Sequence, residues 1–232
     1  MTPQPSEPRP KPVDPRPARR QRRLEEILAA AWEIAAEEGL AAVSLHEIAR
    51  RVGLRQPSLY AYFDSKMALY DAMFGQAARA LLDRFDQYSF SPEPRAAVRE
   101  GSRLLYQWVS ENPTASQLLF NRTIPDFEPS PDSYAPAVQF WSRGVQQLNA
   151  AGVTDPGDVD IFIAILGSLI QQQQSNEPGG DRYIRHLDTV LEMFFEYIDR
   201  HPQPRSAASA DGQSASKQTQ RTRRPASSSR TT

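Results

Sequence analysis

Between Leu24 and Ile198 the apolar residues recur three and four positions apart, and no stretch alternates apolar and polar residues with a period of two. That spacing lays an apolar stripe along one face of an α-helix and does not suit a half-buried strand, so the chain reads as all-α. A first helix is expected from about Arg20 to Glu38, with Leu24, Ile27, Leu28, Ala31 and Ala35 on one face and Gly39 closing it. Further helices are expected over roughly 66–85, 95–110, 113–120, 137–150, 156–174 and 181–200. The four prolines at 125, 129, 131 and 136 mark a loop, and Gly152 and Glu177-Pro178-Gly179-Gly180 mark two more breaks.

The stretch from 44 to 66 is punctuated differently. Ser44-Leu45-His46-Glu47 has the spacing of a capping box, in which the hydroxyl accepts from the Glu47 amide and the carboxylate returns to the Ser44 amide. A helix then runs to about Val52, Gly53 breaks it, and a second short helix starts near Gln56-Pro57 and ends by Phe63. Asp64-Ser65 caps the next one. Two short helices joined by a glycine turn form the helix-turn-helix pattern, whose second helix enters the DNA major groove.

Charge is distributed unevenly. Residues 1–70 carry 11 basic and 9 acidic side chains, 71–200 carry 10 and 18, and 201–232 carry 6 and 1, leaving a net charge of −1. An acidic middle argues against coating by nucleic acid and is compatible with one local DNA-binding module. Seven of the twenty prolines fall in residues 1–17, and the last thirty residues are nearly all Pro, Gln, Ser, Ala, Thr and Arg. Neither end can bury enough apolar surface to offset its ordering entropy, so 1–18 is expected to be a disordered Pro-rich tail and 201–232 a disordered basic one.

With no cysteine, disulfides, thiolate metal sites and cysteine nucleophiles are excluded. The longest apolar run, Ile161 to Leu166, is far short of the ~20 residues that span a bilayer, and the N-terminus has no apolar signal region. The expectation is a cytoplasmic protein without membrane partner. His46, His186 and His201 are isolated, and no Gly-rich phosphate loop, nucleophile elbow or zinc-helix motif occurs, so neither enzymatic activity, metal nor cofactor is expected.

The run from Ile27 to Phe74 resembles the DNA-binding domain of the TetR family of transcriptional regulators. The residues that carry the resemblance are the small-residue-rich first helix ending in Gly39, Ser44, Ile48-Ala49, Val52-Gly53-Leu54, Ser58-Leu59-Tyr60, Tyr62-Phe63 and Ser65-Lys66. Ala61 and Tyr62 depart from the aromatic and His of the family's tetracycline repressor, so no operator preference carries over. The resemblance implies an all-α homodimer with a three-helix DNA-binding domain over 19–66 and a helical effector-binding and dimerisation domain over 67–200. It also implies binding to palindromic double-stranded operator DNA, repression, and release by a small-molecule effector. An architectural DNA-binding protein without an effector is the alternative.

The candidate DNA contacts are Ser44, His46, Arg55, Gln56, Ser58, Tyr60, Tyr62 and Lys66. Gln can bond adenine bidentately, Arg guanine or phosphate, and Ser either. Lys66 opposes the dipole at a helix N-terminus, which fits an external phosphate. Plainer roles are capping for Ser44, a solvated surface for His46 and core for one tyrosine ring. Arg19, Arg20, Arg22 and Arg23 form a basic cluster able to reach phosphate or the minor groove, or simply to be solvated. Trp108, Gln117, Phe120, Asn121, Phe140 and Trp141 are candidate effector contacts, although aromatics at helical spacing serve a core equally well. The last two helices carry Phe162, Leu166, Ile170, Leu187, Leu191, Phe194 and Phe195, candidates for an intersubunit bundle.

Overall fold

The computed structural model describes residues 16–121 and 123–201. Among them are nine α-helices and no strand: α1 (Arg16–Glu38), α2 (Leu45–Arg51), α3 (Gln56–Leu59), α4 (Lys66–Asp86), α5 (Pro94–Glu111), α6 (Pro113–Phe120), α7 (Pro131–Ala150), α8 (Pro156–Asn176) and α9 (Leu187–Arg200). Short 3-10 turns at Leu40–Ala42 and Ile184–His186 precede α2 and α9. No helix among the described residues is long and apolar enough to cross a membrane.

Several boundaries differ from the sequence reading. Residues 16–18, expected in the N-terminal tail, are the first turn of α1; the rest of that tail, and 202–232, lie outside the described residues. α3 spans only Gln56–Leu59, and Tyr60 to Tyr62 follow as a turn, closed by the Tyr62 and Phe63 amides, which both bond the Leu59 carbonyl, at 2.9 and 3.1 Å. α7 starts six residues earlier than expected, at Pro131. There Ser130 accepts from the Ser133 amide, and a proline at the first helical position forfeits no hydrogen bond. Pro136 is accommodated within the same helix. The last helix begins at Leu187 rather than 181.

Two apolar cores form. Ile27, Ile34, Val43, Ile48 and Leu59 pack with Leu69, Tyr70 and Met73 of α4 and Leu118 of α6. The second joins Leu81 and Leu82 of α4 to Trp108, Phe140, Leu148, Phe162, Leu191 and Phe194. α4 serves both, so the chain passes between the cores inside a helix, not through a linker.

A carboxylate fixes α4 to α7. Asp71 accepts from the Ser130 amide at 2.6 Å, the Ser130 hydroxyl at 2.8 Å and the Ser133 hydroxyl at 2.8 Å. Beside it the helices nearly touch: a Cβ added to Gly75 would lie 3.3 Å from the Ser133 Cα.

Candidate nucleic-acid interface and helical-domain cavity

Ser44 caps α2, its Oγ accepting from the Glu47 amide at 3.2 Å. Only this half of the expected capping box forms. The Glu47 carboxylate turns outward to Arg50, at 2.9 and 2.5 Å, and to Arg51 at 3.3 Å. The bonds from Arg50, reinforced by Arg51, hold the Glu47 carboxyl down to about 2. Arg51 also reaches Glu37 at 2.6 Å and Glu38 at 3.6 Å, tying α2 to the end of α1. Sequence reasoning missed this tie, because Arg51 and Glu37 are 14 residues apart and no local pattern links them.

The turn is a glycine-closed helix end. Leu54 N–H bonds Ala49 O at 2.9 Å, Gly53 N–H bonds Arg50 O at 3.4 Å, and Gly53 has φ +66°. Leu59 is fully buried and Phe63 nearly so, anchoring α3 from below. What remains outward is the edge of Arg55, Gln56, Pro57 and Ser58, with His46 and Tyr60 also exposed. Of the eight expected DNA contacts, His46, Arg55, Gln56, Ser58 and Tyr60 are thus exposed on the two short helices and the corner that follows, while Ser44, Tyr62 and Lys66 are half-buried.

The last two have partners inside the chain. Lys66 Nζ donates to the Ala41 carbonyl at 2.9 Å and stands 5.3 Å from the centre of the Tyr70 ring. Its cost at the helix N-terminus is therefore met inside the fold, and an external phosphate is not needed to explain it. Tyr62 lies under the Arg20 guanidinium at 5.1 Å, and Arg20 donates to the Ala61 carbonyl at 3.4 Å. Arg16, Arg19, Arg20 and Arg23 follow helical spacing along α1 and, with Arg22 and Tyr62, line a groove of about 590 Å³. The basic cluster thus adjoins the corner that follows α3.

In the helical domain two adjoining cavities, about 600 and 830 Å³, share the wall Leu105, Trp141, Phe162, Ile163 and Leu166. The smaller is bordered by Phe140, the larger by Gln117, Phe120 and Asn121, and both by Trp141. Trp108 lines neither: it is buried in the second core, which corrects its expected placement as an effector contact.

The expected intersubunit residues need correction too. Phe162, Leu166, Ile170, Leu187, Leu191, Phe194 and Phe195 are all buried within the one chain, because α8 and α9 pack against each other and against α5 and turn these side chains into the second core. A second stripe on the two helices stays open: Ile161 is 42% exposed, Met193 65% and Tyr197 38%, beside half-buried Ile165 and Val190.

Residues 27–73 match the family described as bacterial regulatory proteins, tetR family. No curated protein matches the chain in sequence. Among solved structures, a protein of unknown function from Rhodococcus sp. RHA1 superposes with a TM-score of 0.62 over 75% of this chain and 94% of its own, at 16% identity. A TetR family transcription regulator from Marinobacter aquaeolei VT8 gives 0.57 over 78% and 97%, at 21% identity. A TetR variant from Acinetobacter baumannii AYE, solved in complex with minocycline, gives 0.50 over 77% and 97%, at 17% identity. At such identities the likeness is one of fold: an all-α chain opening with a helix-turn-helix.

Proposed function

We propose, for a chain that belongs by its residues 27–73 to the TetR family of bacterial regulatory proteins, that it is a ligand-responsive repressor binding palindromic operator DNA as a homodimer. The observation that carries this reading is the exposed edge Arg55-Gln56-Ser58, presented beyond a glycine-closed turn and flanked by the α1 arginines. Gln56, with Arg55 and His46, faces base edges; Tyr60, Ser44 and the remaining donors of Lys66 hold phosphates, which set register and carry no sequence information. Two copies meet through the open stripe of Ile161, Val190, Met193 and Tyr197, since a two-fold partner must cover the same patch on both subunits. The paired cavities supply an effector site, and a neighbour of the same fold solved in complex with minocycline supports ligand response as a reading. An effector releases DNA by favouring a spacing of the two recognition helices that does not fit successive major grooves.

Binding-site selection tests this. The parent protein should enrich a palindrome. Gln56→Ala should relax preference at one symmetric pair of positions, a bidentate contact being worth about 1–3 kcal/mol of discrimination. Arg19→Ala should weaken every sequence alike and flatten the salt dependence by about one unit per subunit. No enrichment by the parent, or Gln56→Ala lowering all affinities uniformly, would overturn the placement of α3.

A further inference from the structure

The composition of the two cavities is more informative than their size. We infer that they are one bipartite site for an uncharged, elongated amphiphile, with an apolar body in the smaller lobe and a carbonyl-, hydroxyl- or amide-bearing head in the larger. This rests on the reading of the helical domain as an effector domain.

The smaller lobe is bounded by Phe85, Tyr88, Phe90, Phe140 and Trp141, a mainly aromatic lining suited to an apolar body, with Ser102, Gln146 and Gln147 as its uncharged polar members. Its only charged side chains among the described residues are Asp86 and Arg143, and these are ion-paired with each other. The larger lobe has no charged side chain among the described residues; its polar lining is dominated by five amides, Gln117, Asn121, Gln171, Gln172 and Gln174. An ion brought from water into such a lining would lose hydration and meet no counter-charge, whereas amides both donate and accept and so satisfy a neutral head.

The amides are not equally available. Gln171 is bonded to Ser175, Gln172 to Asn176 and Gln174 to Ser110, while Gln117 and Asn121 make no side-chain hydrogen bond among the described residues. The head is therefore assigned to the α6 side of the lobe. The wall common to both lobes is apolar throughout, so a chain can pass Trp141 without desolvating a polar group. Along α8 the larger lobe alone is bordered from Phe162 to Ser175, about 20 Å at 1.5 Å per residue, so with the smaller lobe beyond the shared wall there is room for a ten-carbon chain as well as its head.

Three probes of equal length isolate the charge: decanamide, decanoate and decylamine, titrated calorimetrically at pH 7 into the full-length protein. Decanamide should bind saturably and each ion at least tenfold more weakly. Its binding should shift a fluorescence component that Trp141→Phe removes, since Trp32 and Trp108 line neither lobe. Gln117→Arg should move the preference at least tenfold toward decanoate. An ion bound as tightly as decanamide, saturable binding by none of the three, or a Gln117→Arg variant with unchanged order would overturn the inference. Arg122 follows Asn121 and lies outside the described residues; decanoate preference that disappears in Arg122→Gln would overturn it in the same way. Selection of operator DNA by ligand-free protein is scored separately. Selective DNA binding without probe discrimination would defeat the ligand class alone. Probe discrimination without DNA selection would defeat the regulator reading and leave the site standing.

Discussion

Asp71 offers the sharpest test of how the two cores are joined. Its carboxylate accepts three hydrogen bonds from the start of α7, two from Ser130 and one from Ser133. A charge-assisted bond contributes roughly 1.5–3 kcal/mol net when well shielded, but these groups are half-buried and water can take over at the two hydroxyls. The Ser130 amide is harder to satisfy, and the N-terminal end of α7 loses a favourable negative charge. Asp71→Ala should therefore cost about 2–3 kcal/mol, and Asp71→Asn, which keeps an acceptor but not the charge, about half of that. For a chain of this size each kcal/mol lowers Tm by about 2–4 °C, so calorimetry should show a fall of roughly 4–12 °C for the Ala variant. The reasoning fails if Asp71→Ala melts within a degree of the parent, or if Asn is as damaging as Ala.

Other expectations follow from single residues. Glu47 has its carboxyl lowered to about 2 from an ordinary 4.5, so its contribution to folding is complete above about pH 4.5 and lost as the pH falls through about 2. Acid titration followed by circular dichroism should show Glu47→Gln with a shallower loss of stability over that window; an unchanged slope would refute it. Gly53 has φ +66° and open space at its Cβ position, so the penalty for substitution is conformational. Denaturant melts should rank Asn above Ala above Val, with Ala about 1–2 kcal/mol below the parent; equal stabilities would contradict the turn geometry. Met193→Asp should dissociate the proposed dimer in sedimentation while leaving helicity intact, whereas Phe194→Asp should unfold the chain; a dimer unaffected by Met193→Asp would rule out that stripe as the contact.

Legibility in the sequence followed the range of the interactions. Helices set by their own apolar spacing and local caps, such as α4 with Ser65 or the turn at Gly53, were readable because the determining groups lie within a few residues of one another. The proline-rich stretch misled because prolines mark helix starts as well as loops, and which applies at Pro131 depends on Ser130, itself held by Asp71 59 residues away. The apolar spacing of α8 and α9 was legible as candidate bundle residues. Assigning each of them inward or outward required knowing what packs on them, which spacing within a helix does not contain. The internal partner of Lys66 was illegible for the same reason: that carbonyl belongs to Ala41, and no local rule points there.

Those long-range partners also bear on how a ligand event could reach DNA. Asp71 holds the first turn of α7, and Gly75 leaves little space at the crossing with α4. The first turns of α4 are bound in turn to the first core through Lys66 on Ala41 and the Tyr70 hydroxyl on the Leu40 carbonyl at 2.5 Å, so on the proposed reading a shift at α7 is passed to α4. The same residues 40–41 lead directly into α2. Coupling on the proposed reading is thus a matter of rigid attachment at both ends of one helix. An effector can bias the orientation of α3 only by as much as it prefers one position of α7 over another. Loosening the Asp71 grip should accordingly reduce ligand control of DNA affinity more than it reduces DNA affinity itself.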